Sequence, residues 1–178
     1  MTTGRKIAFS LSILLTAIPF VFAQNLHPKE NEIKAAFIYN IIVFTTWDES
    51  DFRNAGDPLV IGILEHDPFG SFIDELVKGE KAQGHPIVVK RVDRNDTQGV
   101  HVLFISERVK VNVENFLAQN NVPLVISDQP GFTKKGGAIR LFTENSKMRF
   151  EVNLKTLGSS HVTLSSKLLR LAKICCEE

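Results

Sequence analysis

The chain of 178 residues carries 21 lysines and arginines against 20 aspartates and glutamates, and 43% of its residues are hydrophobic. This composition is typical of a globular protein and excludes intrinsic disorder, collagen and a coiled coil. The formal net charge of +1 gives no electrostatic basis for binding a nucleic acid. A chain of this length buries roughly two thirds of the surface that its unfolded form exposes, so its core requires neither a metal nor a disulfide.

The N-terminus has the pattern of a secretory signal peptide. Arg5 and Lys6 precede an apolar stretch, and small residues stand before Gln24 at the positions that signal peptidase recognises. An uncleaved membrane anchor is the alternative, but the apolar run is shorter than the ~20 residues that a membrane span requires. We therefore predict an exported, periplasmic protein in which residues 1–23 are removed and residues 24–178 form one domain.

The first predicted element of this domain is a helix over residues 32–47. Its apolar residues recur at intervals of three and four, which is the spacing of a helix stripe. The stripe consists of Ile33, Phe37, Ile41 and Phe44. Between residues 35 and 44 only Asn40 is polar, which indicates either burial on two sides or docking to a partner.

Apolar strands then alternate with helices along the middle of the chain. The predicted strands cover residues 59–64, 86–92, 100–105 and 124–126, and the predicted helices cover residues 68–77 and 109–120. Continuous apolar strands that alternate with helices are typical of a parallel sheet covered on both faces.

The last third of the chain has a different pattern. Strands over 136–142 and 148–154 are joined by a short polar connection that suits a hairpin, and a helix over 164–174 is predicted to close the chain. The predicted fold is therefore α/β: a single domain with a largely parallel Rossmann-like or flavodoxin-like sheet, an antiparallel edge hairpin and flanking helices.

The only cysteines, Cys175 and Cys176, are neighbours near the C-terminus. Exported proteins usually use disulfides, but these two thiols cannot link distant parts of a core. Three alternatives stay open: a strained ring between the neighbours, an intermolecular disulfide, and two idle thiols in a frayed terminus.

Polar residues follow the carboxyl ends of the predicted strands. Ligands of open α/β sheets bind at this edge, near the point where the strand order reverses. The residues are Glu65, His66, Asp67, Asp93, Ser106, Glu107, Ser127 and Asp128. Helix caps and solvated loop residues are the alternative interpretation. A phosphate-accepting receiver domain is rejected because Ser106 stands where an acceptor aspartate is needed.

The sequence contains none of the common catalytic motifs. A nucleophile elbow, an HExxH zinc motif, a P-loop and a dinucleotide fingerprint are all missing. The five histidines show no metal-ligand spacing, and His101, which begins an apolar strand, is interpreted as a structural histidine. We expect no catalytic residue, no metal and no cofactor.

Short motifs spread along the chain form an ordered set. They are Lys34–Phe37 with Tyr39 and Asn40, Phe44, Trp47, Gly62–Leu64, Asp67–Gly70, His101–Ile105, Leu124–Asp128, Gly136–Gly137, Arg149–Leu154 and Leu164–Ala172. Together they resemble the YfiR family over residues 30–172.

This resemblance implies a bacterial periplasmic protein with a compact α/β fold, often a homodimer. The best known members bind the periplasmic part of an inner-membrane diguanylate cyclase and hold it inactive, which keeps cyclic di-GMP and biofilm formation low. Other members accompany sensor kinases or outer-membrane receptors, so a small-ligand-binding sensor module is the alternative function. Neither reading involves nucleic acid, and the mature protein is not expected to span the membrane.

The chain departs from the family pattern at three positions. Members often carry cysteines in place of Gly62 and Val100, and the resemblance implies that those cysteines pair across neighbouring strands. Because both are missing here, redox control through that bridge is not implied. Asp48 follows Trp47 where the family usually has proline.

Six residues are our candidates for facing a partner or a ligand. Three come from the ends of predicted strands and three from the family motifs. They are Phe37, Trp47, Asp67, Ser106, Asp128 and Asn153.

Overall fold

A computed structural model describes residues 27–176 of the chain. The predicted signal peptide, residues 1–23, lies outside the described residues. In chain order the elements are α1 (His27–Val43), β1 (Thr45–Trp47), β2 (Leu59–Leu64), α2 (Phe72–Val77), β3 (Lys81–Ala82), β4 (His85–Val92), β5 (Val102–Ile105), α3 (Val113–Gln119), β6 (Leu124–Ser127), β7 (Ile139–Glu144), β8 (Lys147–Asn153), α4 (Leu154–Gly158), β9 (Val162–Leu164), α5 (Ser166–Leu169) and β10 (Lys173–Cys175).

The main sheet has eight strands in the order β10-β8-β7-β6-β5-β2-β4-β3. In the part of the sheet that runs β4-β2-β5-β6-β7, every neighbouring pair is parallel. If these five strands alone are numbered in chain order, their spatial order is 2-1-3-4-5, which is the order of the flavodoxin-like fold. The chain passes from β2 to β4 on one side and then returns to β5 on the other side of β2. The strand order therefore reverses between β2 and β5. This topology confirms the predicted α/β fold with a largely parallel sheet.

Two apolar layers hold helices against opposite faces of this sheet. Ile38 of α1 and Ile73 of α2 belong to one buried cluster with Phe104 of β5. Phe116 of α3 and Leu103 of β5 belong to the other cluster. All six residues of β2 are buried, because a parallel strand covered on both faces has no solvent side.

The helix α1 is buried on one side only. Ile38 and Ile42 are fully buried, whereas Ile33 is 39% and Phe44 is 43% exposed. In the predicted stripe, therefore, Ile41 packs into the core while Ile33 and Phe44 lie at the surface. The helix also begins five residues earlier than predicted, at His27, and ends four residues earlier, at Val43.

The early end of α1 has a tertiary cause. Thr45–Trp47 forms β1 and pairs antiparallel with β9, so that Thr45 lies opposite Leu164 and Trp47 opposite Val162. The Thr45 hydroxyl also donates to the carbonyl oxygen of Ile41 at 2.6 Å. This pairing with a distant segment stabilises an extended backbone where the apolar pattern alone predicts continued helix.

The predicted C-terminal helix over 164–174 is wrong. Only Ser166–Leu169 is helical, and Lys173–Cys175 forms β10, which lies parallel to β8 with Ile174 opposite Val152. The strand β10 supplies hydrogen bonds to a side of β8 that would otherwise be an open edge. Tertiary pairing thus overrides the helical spacing of this segment.

The predicted hairpin is present, but its place in the sheet differs. The strands β7 and β8 pair antiparallel, and Asn145 and Ser146 connect them with positive φ angles of 49° and 59°, as a two-residue hairpin turn requires. Because β10 covers β8, the hairpin lies inside the sheet and β10 forms the edge.

Cys175 and Cys176 are free thiols. Cys175 belongs to the strand β10, where its backbone lies opposite Asn153 of β8.

The two predicted helices of the middle region begin later than expected. The helix α2 starts at Phe72, since the preceding turn is held by Asp67, whose carboxylate accepts the backbone N–H groups of Phe69 and Gly70. The helix α3 starts at Val113, where the side chain of Asn112 caps the first turn. In residues 27–176 we find no helix with the length and hydropathy needed to cross a membrane.

Candidate functional site

A polar cleft lies where the strand order reverses. It has a volume of about 380 Å³ and is formed by the residues that follow β2, β5 and β6 together with the first turns of α1. The strand ends contribute His66, Asp67, Pro68, Ser106, Glu107, Arg108 and Asp128, and α1 contributes Glu30, Asn31 and Lys34. Three of the six predicted residues, Asp67, Ser106 and Asp128, are thus brought together.

A buried ion pair forms the floor of the polar cleft. The ammonium of Lys34 lies 2.9 Å from Asp128 and 3.2 Å from Glu30, and the Lys34 and Asp128 side chains are only 11% and 7% exposed. Burial by itself lowers the pKa of Lys34, but its hydrogen bonds and charge interactions with Asp128 and Glu30 outweigh burial and raise that pKa. Lys34 is therefore a permanent cation in this cleft.

Asp128 also fixes the loop that follows β5. Its second carboxylate oxygen accepts the backbone N–H of Glu107 at 2.6 Å. One carboxylate thereby connects the end of β6, the loop after β5 and the first turns of α1. Asp128 is thus a positioning group, with each of its two oxygens already accepting a hydrogen bond.

Asp67 is held in a similar way on the other side of the cleft. Its carboxylate accepts two hydrogen bonds from the guanidinium of Arg91, at 2.9 and 2.7 Å, besides those of the turn. Arg91 also binds Asp74 at 2.6 Å, and this hydrogen bond lowers the pKa of Asp74. Asp67 therefore acts through its place in a small charge network.

The remaining groups of the cleft have hydrogen-bonding capacity to spare. Ser106 is 2% exposed, and within residues 27–176 its hydroxyl oxygen accepts only a long hydrogen bond, of 3.4 Å, from the backbone N–H of Arg108. The Arg108 guanidinium lies 3.4 Å from Nε2 of His66. Nδ1 of His66 is buried and has no hydrogen-bond partner among residues 27–176.

Lys34 and Arg108 line this site but are not among the residues predicted from the sequence. The burial of Lys34 could have been predicted, because it lies on the same face of α1 as the buried Ile38. A charged residue on a buried face is rarely without a partner, so an ion pair could have been expected there. Arg108 stands in a loop and carries no comparable signal. Glu65 and Asp93, which follow strands at the same edge, do not line the cleft, and Glu65 instead binds Arg94 at 2.6 Å.

An apolar groove lies along the exposed side of α1. It has a volume of about 230 Å³ and is lined by Phe37, Asn40, Ile41, Phe44, Phe150, Leu168 and Leu171. Leu171 is 69% exposed, and the Phe37 ring packs edge-on against Phe150 with 6.3 Å between ring centres. Phe37 is the one predicted site residue that lies in this groove.

Trp47 and Asn153 lie apart from both surfaces and are buried. The indole N–H of Trp47 donates to the carbonyl oxygen of Ile42 at 3.2 Å. The Asn153 side chain caps α4 by accepting from the backbone N–H of Thr156, and it donates to the carbonyl oxygen of Thr133 at 2.8 Å. Both side chains hold neighbouring elements together.

His101 has the structural role that its place in the sequence predicts. Its Nδ1 accepts the backbone N–H of Val60, and its Nε2 donates to the carbonyl oxygen of Asp51, both at 3.1 Å. The Phe52 ring is stacked between His101 and the buried His85, with ring centres 4.7 and 3.6 Å away. The two histidines thereby hold the loop before β2 against the sheet.

Stability is expected to fall in mild acid because of His101. Burial lowers the pKa of His101 below its ordinary value of 6.5, against the opposing hydrogen bond to Asp51. Below about pH 6.5 the unfolded chain therefore binds a proton that the folded chain excludes, so this contribution is complete above that pH and is lost as the pH falls toward the folded pKa. Melting temperatures measured from pH 7 to pH 5 should show the decrease.

The variant His101→Asn isolates this effect. Asparagine retains an acceptor for the N–H of Val60 but does not titrate, so its melting temperature is expected to depend less on pH than that of the wild type. All other titratable groups are shared by the two proteins. Identical pH dependence in both would show that His101 is not responsible.

A family model of YfiR/HmsC-like proteins matches residues 31–173 of the chain. The chain belongs to the YfiR/HmsC-like family. This membership confirms the resemblance of the sequence motifs. YfiR/HmsC-like proteins are periplasmic, non-catalytic regulators of cyclic di-GMP signalling that act with a membrane partner.

The other comparisons add less. No curated protein matches the sequence. Among solved structures, the chain is similar to a conserved domain protein from Vibrio cholerae O1 biovar El Tor strain N16961, with 14% identity and a TM-score of 0.48. The match covers 81% of this chain and 59% of that protein, so this YfiR/HmsC-like chain spans less than two thirds of its length.

Proposed function

We propose that this protein represses an inner-membrane diguanylate cyclase, or a related sensor, by binding its periplasmic part through the apolar groove. Residues 1–23 would direct the export that places it beside this partner. The observation that carries the proposal is the exposed apolar surface of α1 in a chain of the YfiR/HmsC-like family. Binding would hold the cyclase inactive and keep cyclic di-GMP low.

The exposed residues favour docking because they lie together. Phe44 and Leu171 both line the apolar groove, and Ile33 lies one turn before Phe37 on the same face of α1. Clustered apolar side chains at a surface mark interaction sites, whereas single exposed ones carry no such meaning. The helix α1 is also fixed in place, because Lys34 in its first turns binds Asp128 and the strand β1, which follows the helix, pairs with β9. Binding of a partner therefore requires little ordering of this surface.

The first test replaces the two most exposed apolar residues of the groove, Phe44 and Leu171. In a strain that lacks the native gene and expresses the partner cyclase, wild-type protein should lower cyclic di-GMP, measured by mass spectrometry of cell extracts. The double variant Phe44→Ser/Leu171→Ser should fail to lower it. Its affinity for the purified periplasmic domain of that cyclase should fall at least roughly tenfold, as is expected when central apolar contacts are removed.

Phe72→Ser is the matched control. Phe72 is 37% exposed but lies outside the apolar groove, so this variant should repress like the wild type. Because all three residues are at the surface, thermal melting should show that every variant is folded. Repression by the groove variant at wild-type level, or cyclic di-GMP that does not respond to the gene at all, would contradict the proposal.

A second function, ligand sensing, is favoured by the polar cleft. The cleft lies at the edge of the sheet where flavodoxin-like folds bind ligands, and its floor is made of buried polar groups. This observation concerns a different surface from the apolar groove, so the two functions are compatible within one protein.

A further inference from the structure

The polar cleft holds several hydrogen-bond donors that the protein itself does not use. An ammonium group has three N–H donors, and Lys34 directs bonds to two partners, Asp128 and Glu30. Arg108 forms no ion pair with a carboxylate among residues 27–176, and the only polar partner of its guanidinium there is Nε2 of His66, at 3.4 Å.

His66 adds another unused donor. A guanidinium can donate but cannot accept a hydrogen bond, so Nε2 of a neutral His66 is the acceptor of the Arg108 contact. The ring proton is then on Nδ1, which is the buried atom without a partner among the described residues. A buried unpaired donor is costly, and native structures rarely retain one without a reason.

The carboxylates of the cleft are mostly committed to partners. Asp128 is bonded to Lys34, and Asp67 is bonded to Arg91, which leaves Glu107 as a lining carboxylate without an ion pair in residues 27–176. The lining carries four carboxylates against the two cations Lys34 and Arg108, so the cleft combines unused donors with a formal net charge of −2. This negative balance disfavours an anion of high charge such as phosphate, whereas a single carboxylate needs only one cation, and Arg108 has no carboxylate partner among residues 27–176.

We propose that the polar cleft binds a small organic carboxylate. The carboxylate would accept hydrogen bonds from Arg108, which can form a paired interaction with both oxygens, and from Lys34, Ser106 or His66 on the cleft floor. The volume of about 380 Å³ is at the lower end of the range for ligand pockets, about 300 to 1,000 Å³, so the ligand is a small acid. No group of three or more metal-binding side chains in residues 27–176 is arranged to hold a cation.

The test uses three probes on the purified protein without its membrane partner, so its result is independent of the proposed docking. L-lactate and L-alanine have the same carbon skeleton and carboxylate but differ in a hydroxyl or an ammonium group, and inorganic phosphate tests the more highly charged anion. Thermal shift and calorimetry at millimolar concentrations should detect binding of at least one of the two carboxylates and not of phosphate. The preferred member of the pair then shows whether Glu107 contributes by attracting an ammonium group.

Arg108→Gln is expected to weaken the binding at least tenfold, because it removes the charged, two-pronged donor. The control is Arg94→Gln, which removes an arginine that binds Glu65 near the same edge of the sheet but outside the cleft, and which should leave the affinity unchanged. Both arginines are exposed, so both variants should fold. Failure of both carboxylates to bind, binding of phosphate alone, or equal affinities of Arg108→Gln and the wild type would overturn the proposal.

Discussion

Lys34→Met is expected to lower the free energy of unfolding by about 3 kcal/mol, the lower end of what is found when one partner of a buried ion pair is removed. Methionine preserves most of the side-chain volume but leaves the Asp128 carboxylate, 7% exposed, without its cation. Of its partners in the described part of the chain, only the backbone N–H of Glu107 would then remain for that carboxylate. Urea denaturation monitored by circular dichroism measures the change.

Two further variants separate the buried pair from a general effect of losing a lysine. In Lys34→Met/Asp128→Asn no buried charge is left unpaired, since the other partner of Lys34, Glu30, has a side chain that is 46% exposed; the loss of stability should therefore be much smaller than the sum of the two single losses. Lys78→Met removes a lysine whose contact with Glu75 is exposed, with side chains 75% and 70% accessible, and should change stability by less than about 0.5 kcal/mol. Equal losses for Lys34→Met and Lys78→Met would contradict the role assigned to the buried pair.

Gly62→Cys/Val100→Cys is expected to form a disulfide that stabilises the protein by about 3 to 4 kcal/mol, because it closes a loop of about 38 residues in the unfolded chain. A Cβ atom added at Gly62 would lie 2.8 Å from Cγ1 of Val100, so the two positions are in contact. The structure therefore places side by side the two positions where related proteins are expected to carry paired cysteines. Peptide mass spectrometry and melting with and without reductant measure the bond and its effect.

The control for this variant is Gly62→Ala/Val100→Ala, which alters the packing without adding thiols. Cys175 and Cys176 are present in both proteins, so any response to reductant that they cause is shared. A reductant should therefore lower the melting temperature of the cysteine variant only. Thiols that stay reduced under oxidising conditions would show that the two positions lack disulfide geometry.

The central sheet could be predicted from the sequence because its strands are apolar on both faces. The run Leu59–Leu64 is a continuous apolar segment, and such a segment is stable only between two layers of helices. The ends of these strands could be predicted as well, which is why Asp67, Ser106 and Asp128 were found before the structure placed them around one cleft. The ion pairs of Asp67 and Asp128 were not predictable, since their partners, Arg91 and Lys34, come from other parts of the chain.

The two segments predicted as helix but found as strand lie where a distant strand supplies the hydrogen bonds. Thr45–Trp47 and Lys173–Cys175 both lie in segments with helical apolar spacing, yet each is a strand because β9 and β8 pair with them. The spacing of apolar residues shows which side chains share a face of an element. It does not show whether a distant strand will lie beside that element and pair with its backbone N–H and C=O groups. The same reason explains why the hairpin was placed at the edge, which β10 occupies instead.

The amino-acid sequence by itself determined the class of this protein: its α/β pattern, its family and the polar character of its strand ends all follow from the order of residue types. Only the tertiary structure decided which apolar residues of α1 remain exposed, which charges neutralise one another, and which donors stay unused. Exposure and charge pairing depend on residues that are far apart in the chain, such as Lys34 and Asp128, and they exist only once the sheet and helices are packed.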